Sequence, residues 1–235
     1  MKKGNVFFAV GLLLIAAALL LTAYNLWDDR RAGETADKVL IQLLPLMEDD
    51  PVPPTGRTVK TSEEPKKPAS PQPEETAPVQ APLVEGTVNQ EIEYPDYVLD
   101  PNKEMPVLML EGKAYVGVIS IPAIDRELPV LNEWDYTNLR IAPCRYVGTA
   151  YKNDLVICAH NWNSQFGSLK NLSYGDEVTF TDTDGNVFTY RVMEIETLQP
   201  TAVEEMKTGD WDLTLFTCTV GGAARVTVRC ERTEP

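Results

Sequence analysis

Histidine and basic residues are scarce in this 235-residue sequence, and each shortage narrows the possible functions. His160 is the only histidine, so no other residue can serve as an imidazole acid or base. The 21 lysines and arginines are outnumbered by 35 aspartates and glutamates, for a formal net charge of −14. Phosphate binding needs a basic surface, so this composition argues against a nucleic-acid partner. From residue 104 onward, 19 acidic and 11 basic side chains give −8, an acidity whose simplest consequence is solubility.

Only one long apolar run is found, near the N-terminus. Residues 4–27 carry no charge, and about 20 such residues in a helix span the hydrocarbon core of a bilayer. Lys2 and Lys3 precede this run, whereas the charges of residues 28–31 cancel. The positive-inside rule therefore predicts a single-pass anchor in residues 1–27, with a cytoplasmic N-terminus and the rest of the chain outside the cell. A cleaved signal peptide is the alternative, but the apolar core is long for that purpose.

Residues 28–47 predict a juxtamembrane amphipathic helix, with Thr35 as its N-cap and Pro45 weakening its last turn. The apolar side chains at helical spacing are Ala36, Val39, Leu40, Leu43, Leu44 and Met47. Such a helix can lie on the membrane surface or pack on the domain, and the sequence leaves both open.

Residues 48–103 contain eleven prolines and few apolar side chains. A segment of this composition buries too little surface to fold, so it predicts a disordered linker. We expect such a linker to act as a spacer that holds the following domain away from the membrane.

Residues 104–235 are the predicted folded domain, and short β-branched segments dominate them. Strands are predicted at 115–121, 154–159, 177–181, 187–195, 212–217 and 225–231, and short helical pieces at 166–172 and 203–206. An Asp184-Gly185 turn joins two of these strands in a hairpin. Many short strands separated by turns predict an all-β fold, either a closed barrel or a sandwich.

Three residues with complementary chemistry fall at the ends of predicted strands. A thiol reacts as its thiolate, which a nearby cation favours, and Cys218 is followed seven residues later by Arg225. The imidazole of His160 can protonate a leaving amine and later accept a proton. A guanidinium can hold a carbonyl oxygen or an oxyanion, a role for which Arg229 is the alternative to Arg225. Each residue taken alone is more often structural than catalytic.

The other three cysteines carry no such pattern. Cys144, Cys158 and Cys230 are predicted to be small buried apolar residues, whereas Cys218 is predicted to be free and catalytic. An extracytoplasmic location permits disulfides, but the sequence does not specify pairs.

The pentapeptide Thr214-Leu215-Phe216-Thr217-Cys218 is the most specific motif of the chain. The segments that accompany it are Gly117-Val118-Ile119-Ser120-Ile121-Pro122, Leu128-Pro129-Val130, Ala159-His160-Asn161, Phe166-Gly167-Ser168-Leu169 and Tyr174-Gly175-Asp176. Over residues 115–231 this pattern resembles the sortases, the membrane-bound cysteine transpeptidases of Gram-positive bacteria. Alanine at position 159 departs from the family's usual glycine.

The resemblance implies a fold, a reaction and a set of site residues. The fold is an eight-stranded sortase-type β-barrel, which makes 104–235 the catalytic domain. The reaction cleaves an LPXTG-type sorting signal of a surface protein between threonine and glycine. The thioester formed on the enzyme is resolved by an amine of a cell-wall precursor or a pilin lysine. Cys218 is then the nucleophile, His160 the acid and base, and Arg225 the clamp on substrate and oxyanion, with Thr217 and Asn161 contacting the substrate.

The sequence also bears on the sortase subclass and on the alternative functions. The 57 residues between His160 and Cys218 leave little room for the inserted helix of class B sortases. The chain also ends without the C-terminal membrane segment usual in class C, so a class A-like or class D-like enzyme is favoured. No cofactor is expected, because Glu127 and Asp135 are not spaced convincingly for calcium. The alternatives are a cysteine peptidase of the cell envelope and a non-catalytic, membrane-tethered binding module.

Overall fold

Short strands and turns follow one long N-terminal helix in the computed structural model, which describes residues 3–48, 95–100 and 102–233. The strands are β1 (Leu108–Leu110), β2 (Lys113–Ile121), β3 (Arg126–Leu131), β4 (Cys144–Val147), β5 (Leu155–Ala159), β6 (Glu177–Asp182), β7 (Val187–Leu198), β8 (Leu213–Cys218) and β9 (Arg225–Arg232). The helices are α1 (Lys3–Glu48), α2 (Asp96–Leu99), α3 (Tyr136–Leu139) and α4 (Val203–Lys207). Most of the predicted linker, residues 49–94, lies outside the described residues.

Eight of the strands close into a barrel, which confirms the predicted fold. The ring runs β2-β3-β4-β5-β8-β9-β7-β6, and β6 pairs back with β2. Strand β1 pairs with the beginning of β2 and lies outside the ring. The closing contact requires glycine at position 117, because a Cβ atom there would lie 2.1 Å from the carbonyl oxygen of Thr181.

The barrel interior holds the main hydrophobic core. Alternating side chains of each strand point inward and are fully buried, among them Ile119, Ile157, Phe180, Leu215 and Val228. Removing one such side chain from water stabilises the fold by about 1.5–3 kcal/mol. The strand period of two therefore sends the intervening residues of β5 and β8 to the outer surface of the barrel.

Helix α1 is continuous from the apolar N-terminal stretch to Glu48, so residues 28–47 form its second half rather than a separate helix. Thr35 lies in the helix interior and donates its hydroxyl to the Arg31 carbonyl oxygen, so its prediction as an N-cap was wrong. In length and composition, one stretch of this helix suffices to cross a membrane.

The second half of α1 packs on the outer surface of the barrel. Its buried side chains Val39, Leu40, Leu43 and Met47 form a second hydrophobic cluster with Tyr115, Val118, Leu131, Ala142, Cys144 and Cys158 of the domain. This contact decides between the two positions that the sequence left open for residues 28–47. The distance between the apolar stretch and this contact is set by the helix itself, and the expected spacer, in residues 49–94, stays a prediction.

The contact between α1 and the barrel can be tested with two leucines three residues apart. Leu43 is fully buried, whereas Leu46 is 45% exposed on the same helix. We expect Leu43→Ala to lower the free energy of unfolding by about 2–5 kcal/mol, because it leaves a cavity. Leu46→Ala should change it by less than about 0.5 kcal/mol. Denaturant titration of the full chain in detergent measures both, and equal effects would contradict this packing.

Candidate active site

Two strand pairings bring the predicted site residues to one rim of the barrel. Strands β5 and β8 are parallel, with Ala159 opposite Thr217, so the next residues, His160 and Cys218, lie side by side where the two strands end. Strands β8 and β9 are antiparallel, and Cys218 is the direct partner of Arg225. Neighbouring strands lie about 4.8 Å apart. The register therefore gathers a thiol, an imidazole and a guanidinium that are up to 65 residues apart in sequence.

Cys218 is the half-buried member of four free cysteines. Cys144, Cys158 and Cys230 are all buried, as the sequence predicts. Burial raises the pKa of Cys158 and of Cys230 to about 12, because a thiolate is poorly solvated there. Burial likewise raises the pKa of Cys144 far above its ordinary value. These three thiols stay protonated at neutral pH, which leaves Cys218 as the accessible one.

His160 is held at both its backbone and its ring. The buried Gln165 side chain accepts the backbone N–H of His160 at 2.9 Å and donates to the Leu139 carbonyl oxygen at 3.0 Å. The imidazole stacks on the ring of Trp162, with centroids 4.3 Å apart and planes 25° apart. Burial lowers the pKa of His160, and the nearby Arg140 cation lowers it further, while Asp28 acts in the opposite direction.

Thr217 and Asn161, the predicted substrate contacts, lie on different elements, Thr217 in β8 and Asn161 in the loop after β5. The Thr217 side chain is buried, and its Oγ1 donates to the carbonyl oxygen of Ala159 at 2.9 Å. A hydroxyl engaged in this way ties β8 to β5 beneath the site. Asn161 is half-buried in the loop that follows His160.

The two candidate arginines have different environments. Arg225 is half-buried, and its Nη1 donates to the carbonyl oxygens of Gly222 and Ala224 in the turn after Cys218. Arg229 is only 3% exposed and lies opposite Thr214, four residues before Cys218. Its guanidinium pairs with Glu196 at 2.8 Å. It also donates to Thr214 Oγ1 and to the carbonyl oxygens of Glu205 and Met206.

Helix α1 reaches this rim through two acidic residues. Asp29 accepts the backbone N–H groups of Asn163 and Ser164 and the Ser164 hydroxyl. Asp28 pairs with Arg140 at 2.6 Å. Between the helix and the rim lies a cavity of about 370 Å³, lined by Tyr24, Asp28, Tyr136, Arg140, His160 and Trp162. The helix therefore forms one wall of the space in front of the imidazole.

Residues 119–233 match the family described as a sortase domain. The matched residues include His160, Cys218 and Arg225, so this part of the chain is similar to a sortase domain. The eight-stranded barrel is the fold that the resemblance implied, and sortases are cysteine transpeptidases associated with the membrane at the cell surface.

Sortase A of Bacillus anthracis is 29% identical over 115 residues, which cover 46% of this chain and 54% of that protein. The chain thus matches about half the length of this curated relative. Sortase A from Corynebacterium diphtheriae has 25% identity and a TM-score of 0.46, over 57% of this chain and 64% of that chain. Sortase C from Clostridium perfringens SM101 has 26% identity and a TM-score of 0.45, over 61% and 77% of the two chains.

Sequence reasoning missed the groups around His160. Trp162 and Gln165 are close to His160 in sequence, but nothing in their spacing indicates a stacked ring or a buried amide. Asp28 and Arg140 lie 112 residues apart, and only the packing of α1 on the barrel brings them together. Gln165 ends the mostly polar segment of residues 161–165, so its burial leaves no signal in the sequence.

The electrostatic environment of His160 gives two variants with opposite effects on its pKa. Arg140→Gln removes a cation that disfavours the imidazolium, so the pKa of His160 should rise. Asp28→Asn removes the opposing carboxylate and should lower it. Because the chain has one histidine, a pH titration of its NMR ring resonances reads this pKa without assignment. Asp37→Asn, at an exposed position of the same helix, is the control, and shifts of the same sign in both test variants would contradict the arrangement.

Proposed function

We propose that this protein is a cell-surface sortase that cleaves an LPXTG-type sorting signal and joins the cleaved protein to an amine acceptor. The observation that carries the proposal is the register of β8, which sets Cys218 opposite Arg225 and next to the strand end that bears His160. Surface proteins with a C-terminal sorting signal are the donors. The acceptor is the amine of a peptidoglycan precursor or of a pilin lysine.

In the first half of the reaction, the Cys218 thiolate attacks the carbonyl carbon of the threonine–glycine bond. Arg225 holds the substrate carbonyl and the oxyanion formed from it. Among the described residues, the hydrogen bonds of this guanidinium to protein atoms use Nη1, so Nε and Nη2 are available. The C–N bond then breaks, His160 gives its proton to the leaving amine, and a thioester remains on Cys218.

In the second half, the acceptor amine attacks the thioester carbonyl and His160 takes its proton. The C–S bond breaks and the thiolate is regenerated, with an amide joining the surface protein to its acceptor. Thiol, imidazole and guanidinium together supply all the chemistry, so the proposed reaction needs no cofactor. We further propose that Asn161, in the loop after His160, and Thr217 contact the sorting signal.

The remaining parts of the proposal concern location and subclass. We assign the apolar part of α1 to a single membrane crossing, with the catalytic domain outside the cell. The connection from His160 to Cys218 is fully described, and its helical elements are a three-residue 3-10 turn at Leu169–Asn171 and the five-residue α4. These short elements support a class A-like or class D-like enzyme over class B.

Product analysis of the full chain tests the proposal. The chain in nanodiscs is mixed with LPXTG-type peptides and triglycine, and mass spectrometry follows cleavage and adduct formation. The full chain is needed, because α1 packs on the barrel. We expect an adduct from the wild type, and a loss of about a thousandfold or more for Cys218→Ala and His160→Ala, with unchanged thermal unfolding.

Each other outcome identifies a rival. Cleavage that never gives an adduct with any amine would indicate the cysteine peptidase, in which water resolves the thioester. Wild-type turnover by Cys218→Ala would refute the nucleophile. An unreactive Cys218 thiol and no product from a library of sorting motifs would favour the binding module.

Replacing Arg225 is expected to affect turnover, whereas replacing Arg229 is expected to affect the stability of the fold. Arg225→Ala should lower turnover by about 10²–10³-fold and leave stability nearly unchanged, because it removes a donor to the oxyanion. Arg229→Ala should instead destabilise the fold by roughly 3 kcal/mol, because it leaves Glu196 and several buried oxygens without their partner. Arg191→Ala, at an exposed position of β7, is the control. Turnover assays and denaturant titration separate the two effects, and a larger catalytic loss in folded Arg229→Ala would reverse the assignment.

A further inference from the structure

We propose that the catalytic rim is a membrane-binding face, held by α1 in the headgroup layer of the bilayer that the helix crosses. This inference rests on the membrane crossing in the proposed function and adds a partner, the lipid surface, for the residues around the site. The juxtaposition that carries it is the contact of Asp28 and Asp29 with the rim directly after the apolar part of α1 ends.

Only a short length of helix α1 separates its apolar stretch from the rim. The uncharged stretch ends at Trp27, and Asp28 pairs with Arg140, whose guanidinium faces the cavity in front of His160. From Tyr24 to Asp28 the helix rises about 6 Å, at 1.5 Å per residue. The headgroup layer on each side of the hydrocarbon core is about 5–8 Å thick. A rim attached at Asp28 and Asp29 therefore lies within that layer.

Aromatic side chains lie around the cavity and at the adjacent end of the apolar stretch. Tyr24 and Trp27 of α1 are 52% and 55% exposed, and Tyr136 of the domain is 79% exposed. Trp162 completes the group beside His160. Tyrosine and tryptophan are enriched where a membrane protein passes through the headgroups, because their rings are apolar and carry one polar group. Tyr24 of the helix and Tyr136 and Trp162 of the domain line one cavity, and Trp27 lies next to Asp28 at the end of the apolar stretch.

The rim is attached rigidly to helix α1. The loop after His160 is held from the helix side by Asp29 and from the barrel side by Arg126, whose Nε donates to the Asn163 carbonyl oxygen at 2.8 Å. Further along, the buried face around Leu43 fixes the helix against β2 to β5. No break interrupts α1 between the apolar stretch and these contacts. The height of the rim above the membrane is therefore fixed by the fold.

Charge is compatible with this position. The carboxylates of Asp28 and Asp29 are engaged by Arg140 and by the Ser164 backbone, while Arg30 and Arg31 are exposed at the same level. The Arg31 guanidinium lies 5.4 Å from the centroid of the Trp27 ring. Exposed cations at this level match the negative surface of a bilayer that contains anionic lipids.

Depth-dependent quenching tests the proposal on the full chain. In the Cys218→Ala background, Tyr136→Cys carries a bimane label at the rim, and Lys152→Cys carries it at the opposite end of β5. Tyr136 lines the cavity beside His160, and the five residues of β5 that separate Lys152 from His160 span about 17 Å. Labelled chains are reconstituted in vesicles of phosphatidylcholine and phosphatidylglycerol, with or without a headgroup-nitroxide lipid. We expect a loss of fluorescence at 136 and unchanged fluorescence at 152.

The controls separate this proposal from the proposed function. Cys218→Ala alone should take up no label, because its remaining thiols are buried. Because every labelled chain lacks the nucleophile, the quenching result does not depend on whether the protein is a transpeptidase. Resistance to carbonate extraction establishes insertion independently. An inserted chain with no quenching at 136, or with equal quenching at 136 and 152, would overturn the membrane-binding rim and leave the transpeptidase proposal untouched.

Discussion

The register of β8 between β5 and β9 is the constraint on which the site depends. A shift by one residue would turn every side chain of β8 to the other face, so that Cys218 would point into the barrel and Thr217 outward. Leu213 and Leu215, both fully buried, hold the inward face. Thr217 bonds β8 to β5 on one side, and Arg229 bonds Thr214 on the other. The buried arginine thus secures the register four residues from the Cys218 thiol, even though it does not reach the rim.

Helix α1 also covers an apolar patch on the outer surface of the barrel. The outer surface of β2 to β5 carries Val118, Leu131, Cys144 and Cys158, a patch that would be apolar and exposed without the helix. Such patches favour association between chains. One helix therefore has an apolar stretch suited to lipid and another that covers the barrel, and the transition between them falls at Asp28 and Asp29. Removing α1 would disturb the catalytic rim and the barrel surface together.

Sequence patterns predicted a strand well where its apolar residues form a continuous run or a clear alternation. β5 and β8 were placed to within a residue, because β5 is a continuous apolar run and in β8 the leucines alternate with Thr214 and Phe216. β4 and α3 have four residues each, and elements of this length are too short for a periodic pattern to be detected. Helix α1 shows the same limit in another form. Its apolar face was visible, but periodicity identifies a face and not the surface that covers it.

The candidate site was predictable in its chemistry and not in its supports. Strand ends gave Cys218 and His160, because a strand followed by a turn is recognisable locally. The difference between Arg225 and Arg229 is not local, since it depends on α4 and Glu196 packing over one of them. The same holds for the Thr217 hydroxyl, whose partner lies 58 residues away.

The acidity of the domain, which argues against nucleic acid, does not argue against contact with a membrane. At physiological ionic strength the screening length is about 8 Å, so charges on the far side of a barrel contribute little at the rim. Glu177 and Glu231, for example, are exposed on β6 and β9, away from the residues that surround the cavity. What matters at the bilayer is the local balance, in which Asp28 is neutralised by Arg140 while Arg30 and Arg31 remain exposed. Net charge therefore describes the solubility of the domain, and the position of its site follows from the residues at the end of the membrane helix.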